Sequence, residues 1–330
     1  MTRVACIDIG TVTARLAVAD VAQGRVERML KQSTICNLGE GLEATGRICD
    51  GALERVTTCV DGYLAMARQA GVRLACCTLT SAARDASNSD ELLSALARRG
   101  LSPEVISGVT EGSLTFLGVA QDFGGRRVLV ADSGGGSTEL AVGRIASGEL
   151  SLERVHSVDV GARRATERFG LSGEGGPTDP SRVADARTWA RELIGEALAA
   201  ERIMELAPEL LVACGSTVTT LVAMEAELDP YDSRFVHLHE LSRDAVERQV
   251  ERLCVLDVEG RAALKGLQPK RAGVILGGAA VIASLLEATG LGSLTVSESD
   301  LLFGLAICAG AAADGAVAPF GWRPQLAVIQ

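Results

Sequence analysis

"RVLVADSGGGSTELAVG", Arg127 to Gly143, sets three consecutive glycines between an apolar run ending in Asp132 and a polar Ser137, Thr138 and Glu139. Two apolar runs around such a turn read as antiparallel strands whose connecting backbone must be closely approached. Laid without a gap over "RVACIDIGTVTARLAVA", Arg3 to Ala19, the stretch pairs Asp132 with Asp8, Gly134 with Gly10 and Ser137 with Thr13. It also pairs Leu140 with Leu16 and Val142 with Val18. The chain therefore carries one device twice, a hairpin with an acidic residue at its mouth. Two domains, each built on one copy, are expected to face each other across a cleft.

The segments between and after the copies alternate as an α/β chain requires. After the first hairpin come a strand over 25–32, a helix carrying Ala52, Val56, Cys59, Val60 and Tyr63, and a buried strand over 73–78. A short helix over 90–98 ended by Gly100, a strand over 103–106 and a helix over 111–120 follow. Beyond the second hairpin, "GLSGEGGPTDPS" reads as a loop and 184–206 as a long helix. A strand over 210–213 runs into "CGSTVTTL", and a strand over 273–276 into "GGAAVIASLL". The division expected is a first domain over 1–123, a second over 124–298, and a C-terminal segment over 299–330. Its apolar helix, 301–312, is expected to pack back on the first domain and couple the two.

Composition narrows the setting. With 330 residues, 47% of them hydrophobic, the chain can bury two cores. No run of about 18 uncharged apolar residues occurs, so no membrane span is expected, and Asp8 comes too early for a signal peptide. Nine cysteines without a C-x-x-C pair suit reduced core residues of a cytosolic protein better than disulfides or zinc ligands. A formal net charge of -10 argues against nucleic acid as a partner. His156, and the His237 and His239 pair, lack the further ligands that a metal site needs.

Seven segments, "CIDIGTVTARL", "NLGEGLEATGRI", "LTSAARDASN", "VISGVTEGSLTFLGV", "VADSGGGSTEL", "VACGSTVTTL" and "RAGVILGGAAVI", resemble in order and spacing the exopolyphosphatase and guanosine pentaphosphate phosphohydrolase family. The resemblance covers most of the chain, in the family's short two-domain form. It implies two actin-like (ribonuclease H-like) α/β domains with a central cleft, and a phosphoanhydride hydrolase using Mg²⁺ or another divalent cation on a polyanionic phosphate substrate. A homodimer is compatible with it.

The residues give that reading chemical content. Gly134, Gly135 and Gly136 let backbone N–H groups approach phosphate oxygens, and Ser137 and Thr138 add hydroxyls. Gly10, Thr11 and Thr13 in the first turn, and Gly215 and Ser216 after the strand over 210–213, are the other expected phosphate contacts. No P-loop motif is present. Asp8 and Asp132, matched across the repeat, are the candidate cation ligands, since Mg²⁺ commonly takes one or two carboxylates plus substrate phosphate; an Asp ending a strand can equally cap a turn. By resemblance, Glu139 positions water or metal, Glu111 activates the attacking water, and Arg84 binds phosphate. A glutamate in a first helical turn is also favoured by the helix dipole alone, and Arg84 with Asp85 could be only a surface pair. Arg163 and Arg164 are expected to face solvent.

The chain also departs from the family. Thr11, Val12 and Thr13 stand where Ser-Asn-Ser is usual, and Asn37 stands in place of an arginine. Val109 to Ser113 keep one acid and lose an arginine, and Leu302 and Phe303 replace Arg and Glu. These losses keep alternatives open: an ATP-using enzyme of the actin or sugar-kinase type, with "ILGGAAVI" as a nucleotide-side turn, or a catalytically weak polyphosphate- or alarmone-binding protein.

Overall fold

In the computed structural model, residues 1–329 are described. The first sheet grows from β1 (Thr2–Ile9), whose Val4 to Ile9 are all buried. Continuous burial of this kind belongs to a strand covered on both faces. β1 pairs antiparallel with β2 (Thr13–Ala22), which pairs antiparallel with β3 (Arg25–Ile35). On its other side β1 runs parallel to β4 (Leu74–Leu79), and β4 parallel to β5 (Pro103–Val105). The second sheet repeats this arrangement. β6 (Val128–Ser133) pairs antiparallel with β7 (Thr138–Ala146), whose other neighbour is β8 (Glu149–Val158), and runs parallel to β9 (Leu210–Cys214). β10 (Glu240–Ser242) and β11 (Ser293–Val296) extend it beyond β9, and β12 (Ala327–Val328) lies against β4 in the first sheet. The orders β4-β1-β2-β3 and β9-β6-β7-β8 make the internal repeat a repeat of topology, in two actin-like α/β halves.

The chain divides into two compact units. One comprises Met1–Gln121, Gly148–Leu150 and Leu301–Gln330, and the other Asp122–Ser147 and Ser151–Asp300. Each has its own apolar core: Ile7, Leu16, Val56 and Leu79 are members in the first, and Leu129, Leu140, Val218 and Ile282 in the second. In the first unit the Leu301–Ala313 helix lies so close to the Gly108–Val119 helix that a Cβ on Gly304 would stand 1.9 Å from the Leu114 carbonyl oxygen. Among the described residues no helix is long and apolar enough to cross a membrane.

Residues 273–276 are not a strand. They lead into the Ile275–Thr289 helix, and the strand that fills that place in the sheet is β11, further along. A short apolar run does not distinguish a buried strand from a buried helix, and this helix is buried on nearly every side. Its two glycines serve close packing. A Cβ on Gly277 would fall 2.2 Å from Thr166 Oγ1, and one on Gly278 2.5 Å from Thr217 Oγ1. "ILGGAAVI" is thus helix interior rather than a nucleotide-side turn. The long helix starts earlier than its apolar spacing indicates, at Pro180, where Asp179 Oδ1 accepts from the Ser181 N–H at 2.9 Å, and it ends at Ala200.

Candidate functional site

In the first unit the expected residues gather where β1, β4 and β5 end, the edge of an α/β sheet at which ligands bind. The Gly10 N–H donates to the Thr13 carbonyl at 3.0 Å, closing the turn, and a Cβ on Gly10 would sit 3.3 Å from that oxygen. The turn's carbonyls face the chain that follows β3. Val12 O accepts from the N–H groups of Cys36 and Asn37, and Thr11 O from that of Gly39. Asp8 is fully buried and faces Arg15 across the strand pair. Arg15 Nη2 and Nε donate to Asp8 Oδ2 at 2.7 and 3.0 Å, and Thr78 Oγ1 donates to Oδ1 at 3.3 Å.

Glu111 lies in the first turn of the Gly108–Val119 helix, whose start is capped by Ser107 Oγ accepting from the Thr110 N–H at 3.1 Å. Its side chain is nearly buried, and Arg84 Nη1 donates to its Oε2 at 2.7 Å. The same nitrogen donates to the Ile106 carbonyl at 3.0 Å. The structure therefore joins two residues that the sequence assigned separate tasks. Thr80 links them to the turn: its N–H donates to Ile9 O, and its carbonyl accepts from the Arg84 N–H. Asp85 accepts instead from Ser81 Oγ, at 3.4 Å.

In the second unit the Gly134 N–H closes the equivalent turn on the Ser137 carbonyl at 2.9 Å. The turn carbonyls again point into a following segment. Gly134 O accepts from the Ala162 N–H, Gly135 O from the N–H groups of Arg163 and Arg164, and Gly136 O from Arg164 Nε at 2.9 Å. Gly161 must lack a side chain here, because a Cβ would stand 2.5 Å from the Gly135 carbonyl carbon. In a trans peptide the N–H points opposite to the preceding carbonyl. With the carbonyls of 134–136 turned toward 162–164, the N–H groups of Gly135, Gly136 and Ser137 are directed to the other side, as in an anion-holding nest.

Asp132 faces Glu139 across the strands, so here the acid has a second carboxylate opposite it, where Asp8 has a guanidinium. Glu139 is buried, with Ser157 Oγ donating to its Oε1 at 2.7 Å. Thr138 is fully buried and donates to the Val160 carbonyl at 2.7 Å, which anchors the turn. Gly215 comes against this pair with φ of 99°, in the left-handed region that favours glycine. A Cβ there would lie 2.7 Å from Ser133 O and 3.3 Å from Asp132 Oδ1. Ser216 accepts from Arg271 Nη1.

Three cationic side chains in this unit, at or near this turn, were not marked by the sequence as ligand groups. Arg163 and Arg164 do not face solvent. The Arg163 side chain is only 12% exposed and pairs with Glu167 at 3.1 Å, while Arg164 holds the Gly-rich turn. Their position directly after Gly161 was the available signal. Arg271 reaches Ser216 from 55 residues away; it opens the "RAGVILGGAAVI" segment, whose charged first residue the sequence reading left without a role.

Among the described residues no three His, Cys, Asp or Glu side chains converge as a metal cage. The donor set still suits a hard cation. Two facing carboxylates, with the glycine edge of Gly215 alongside, suit a divalent cation that takes part of its shell from other oxygen donors.

Residues 17–305 match the model of the Ppx/GppA phosphatase family. Exopolyphosphatase 2 of Mycobacterium tuberculosis is 36% identical over 324 residues, covering 93% of this chain and 98% of its own. A crystal structure of the Aquifex aeolicus Ppx/GppA family member superposes with a TM-score of 0.73 at 28% identity, over 93% of this chain and 96% of that one. An exopolyphosphatase from Cytophaga hutchinsonii shares the fold, with a TM-score of 0.81 at 23% identity over 96% and 99% of the two chains. The duplicated acid-and-glycine turns, the capped helix with Glu111, and these likenesses together make the chain a member of the Ppx/GppA phosphatase family.

Proposed function

We propose that the chain hydrolyses the terminal phosphoanhydride bond of inorganic polyphosphate, or of a related polyanion such as guanosine pentaphosphate, and releases orthophosphate. The observation that carries this reading is the direction of the second turn's peptides. With the carbonyls of Gly134, Gly135 and Gly136 held by the 162–164 segment, the neighbouring N–H groups form a cradle for phosphate oxygens. Within the same unit Ser137 and Ser216 supply hydroxyls, and Arg164 and Arg271 place positive charge close by; Thr11 and Thr13 are the proposed phosphate contacts of the first turn.

Glu111 is the proposed general base. Arg84 fixes its Oε2 and orients the carboxylate, so that it can accept a proton from water attacking the terminal phosphorus. As the new P–O bond forms, the bond to the bridging oxygen breaks, and the shortened chain leaves as an anion. Asp132, with Glu139 opposite, is the proposed holder of Mg²⁺, which when bound neutralises charge developing on the phosphate oxygens. Asp8, ion-paired with Arg15, acts toward the cation at most through water. By the family resemblance Asn37, Ser113 and Leu302 stand at positions where arginine is usual, and each missing guanidinium removes a contact of at most about 1.5–3 kcal/mol. Short chains are therefore the favoured substrates. The nine free cysteines suit work in the reducing cytosol.

The test is phosphate release from short polyphosphate, long polyphosphate, guanosine pentaphosphate and ATP, by the parent and by Glu111→Gln. The variant keeps shape and hydrogen-bonding capacity but cannot take the proton. Its turnover is expected to fall by roughly 10² to 10⁴ with little change in substrate affinity. A variant that keeps half the parental rate removes Glu111 from the chemistry. Consumption of ATP without release from either polyphosphate replaces the reading with an ATP-using one.

A further inference from the structure

We propose that Cys59 and Cys36 form a peroxide-sensitive thiol pair, in which Cys59 is oxidised first and Cys36 resolves it to a disulfide. The inference stands on how the Asp50–Gln69 helix lies along the end of β3. Arg55, Cys59 and Tyr63 are spaced four residues apart and so share one stripe of that helix. At one end of the stripe, Arg55 Nε donates to the Cys36 carbonyl at 2.8 Å, and Cys36 Sγ lies 3.9 Å from the Arg55 carbonyl oxygen. At the other end, the Tyr63 hydroxyl is 2.9 Å from Thr34 Oγ1. Cys59 lies between these contacts. Helical side chains lean over the preceding turn, which carries Cys59 toward the Arg55 carbonyl against which Cys36 Sγ rests. Cys36 Sγ therefore rests against the same stripe of the helix that carries Cys59.

Their surroundings divide the labour. Cys36 is 2% exposed, whereas Cys59 is only half-buried and within reach of a small oxidant. The neighbouring Cys36 side chain, and then Thr34 and Tyr63, lower the Cys59 thiol against the opposing effect of burial. Cys36 is pushed up by the neighbouring Cys59 and by its own burial. A partly accessible thiol beside a fully buried one is the pattern of a sensing cysteine with its resolving partner.

The chemistry balances with hydrogen peroxide as the oxidant. The Cys59 thiolate attacks one peroxide oxygen, the O–O bond breaks, hydroxide leaves, and Cys59 becomes a sulfenic acid. Cys36 sulfur then attacks Cys59 sulfur; the S–O bond breaks, and water departs with the Cys36 proton. A dithiol reductant reverses the disulfide by thiol exchange. The Cys36 and Asn37 N–H groups hold the Val12 carbonyl, so the crosslink fastens to the helix the segment that shapes the first turn.

Peroxide treatment of the whole protein, followed by non-reducing peptide mapping, tests the pair. The expected product is a Cys36–Cys59 linked peptide that dithiothreitol separates. Cys36→Ser should stop at a Cys59 sulfenic acid that dimedone traps. Without any variant, iodoacetamide at pH 7 should label Cys59 roughly ten times faster than the exposed Cys49. A native protein that ends with Cys59 as an unlinked sulfenic acid overturns the proposal, as does one in which Cys49 is oxidised before Cys59.

Discussion

The two hairpins share a backbone and differ in charge. Gly10 and Gly134 close their turns on Thr13 O and Ser137 O at 3.0 and 2.9 Å, and in both turns the carbonyls are taken by N–H groups of a later segment. At the matched position opposite the acid, however, the first hairpin has Arg15 and the second Glu139. The first acid is neutralised within its own strand pair, and the second stands beside another acid. One ancestral turn can therefore serve two ends. The first copy stabilises a buried carboxylate by ion pairing, and the second offers a carboxylate pair suited to a cation.

The largest effect expected from this contrast is at Asp132. Asp132→Asn should lower divalent-cation-dependent turnover by at least about 10³, a loss of several kcal/mol of charge stabilisation, and leave the thermal midpoint near that of the parent. A variant with parental rate and cation dependence would break the assignment of the second hairpin to the ion.

Arg15→Leu comes next and should show as stability. It strands a buried Asp8 carboxylate, a change that typically costs about 3–5 kcal/mol, readable as a lowered urea midpoint. Adding Asp8→Leu should restore much of it. If Arg15→Leu left the midpoint unmoved and abolished turnover, the first hairpin would be chemical machinery like the second.

The smallest effects compare the segments that seal the two turns. A Cβ at Gly161 meets Gly135 backbone at 2.5 Å, which cannot yield without moving the Gly-rich turn. Gly161→Ala is expected to cost about 1–3 kcal/mol and to raise KM more than it lowers kcat. At Gly39 the nearest atom, at 2.4 Å, is the Thr11 Cγ2 methyl, which can rotate away. Gly39→Ala should then cost less than about 1 kcal/mol. Equal effects at the two sites would show that the turns are equally constrained.

The hairpins were legible because strand alternation and a glycine turn are local patterns, and their recurrence with matched acids made them unmistakable. The segment over 273–276 was misread because the choice between buried strand and buried helix depends on neighbours. The Ala162–Phe169 helix and Thr217 lie against Gly277 and Gly278, and neither is close to them in sequence. Arg163 and Arg164 were assigned to solvent for the same reason, since a charged pair gives no sign of the carbonyls it will meet.

By itself the sequence determined the duplicated α/β plan, the acid and glycines of each turn, the placement of Glu111 in a first helical turn, and the family. These follow from short-range backbone preferences and from side-chain type. Only the tertiary structure decided that Arg84 grips Glu111, that Arg15 neutralises Asp8, that Arg164 reaches the second turn and Arg271 reaches Ser216, and that Cys36 lies against the helix that carries Cys59. Each of these is a contact between residues that topology, not spacing, brings together, and a charge or thiol takes its chemistry from the partner it meets there.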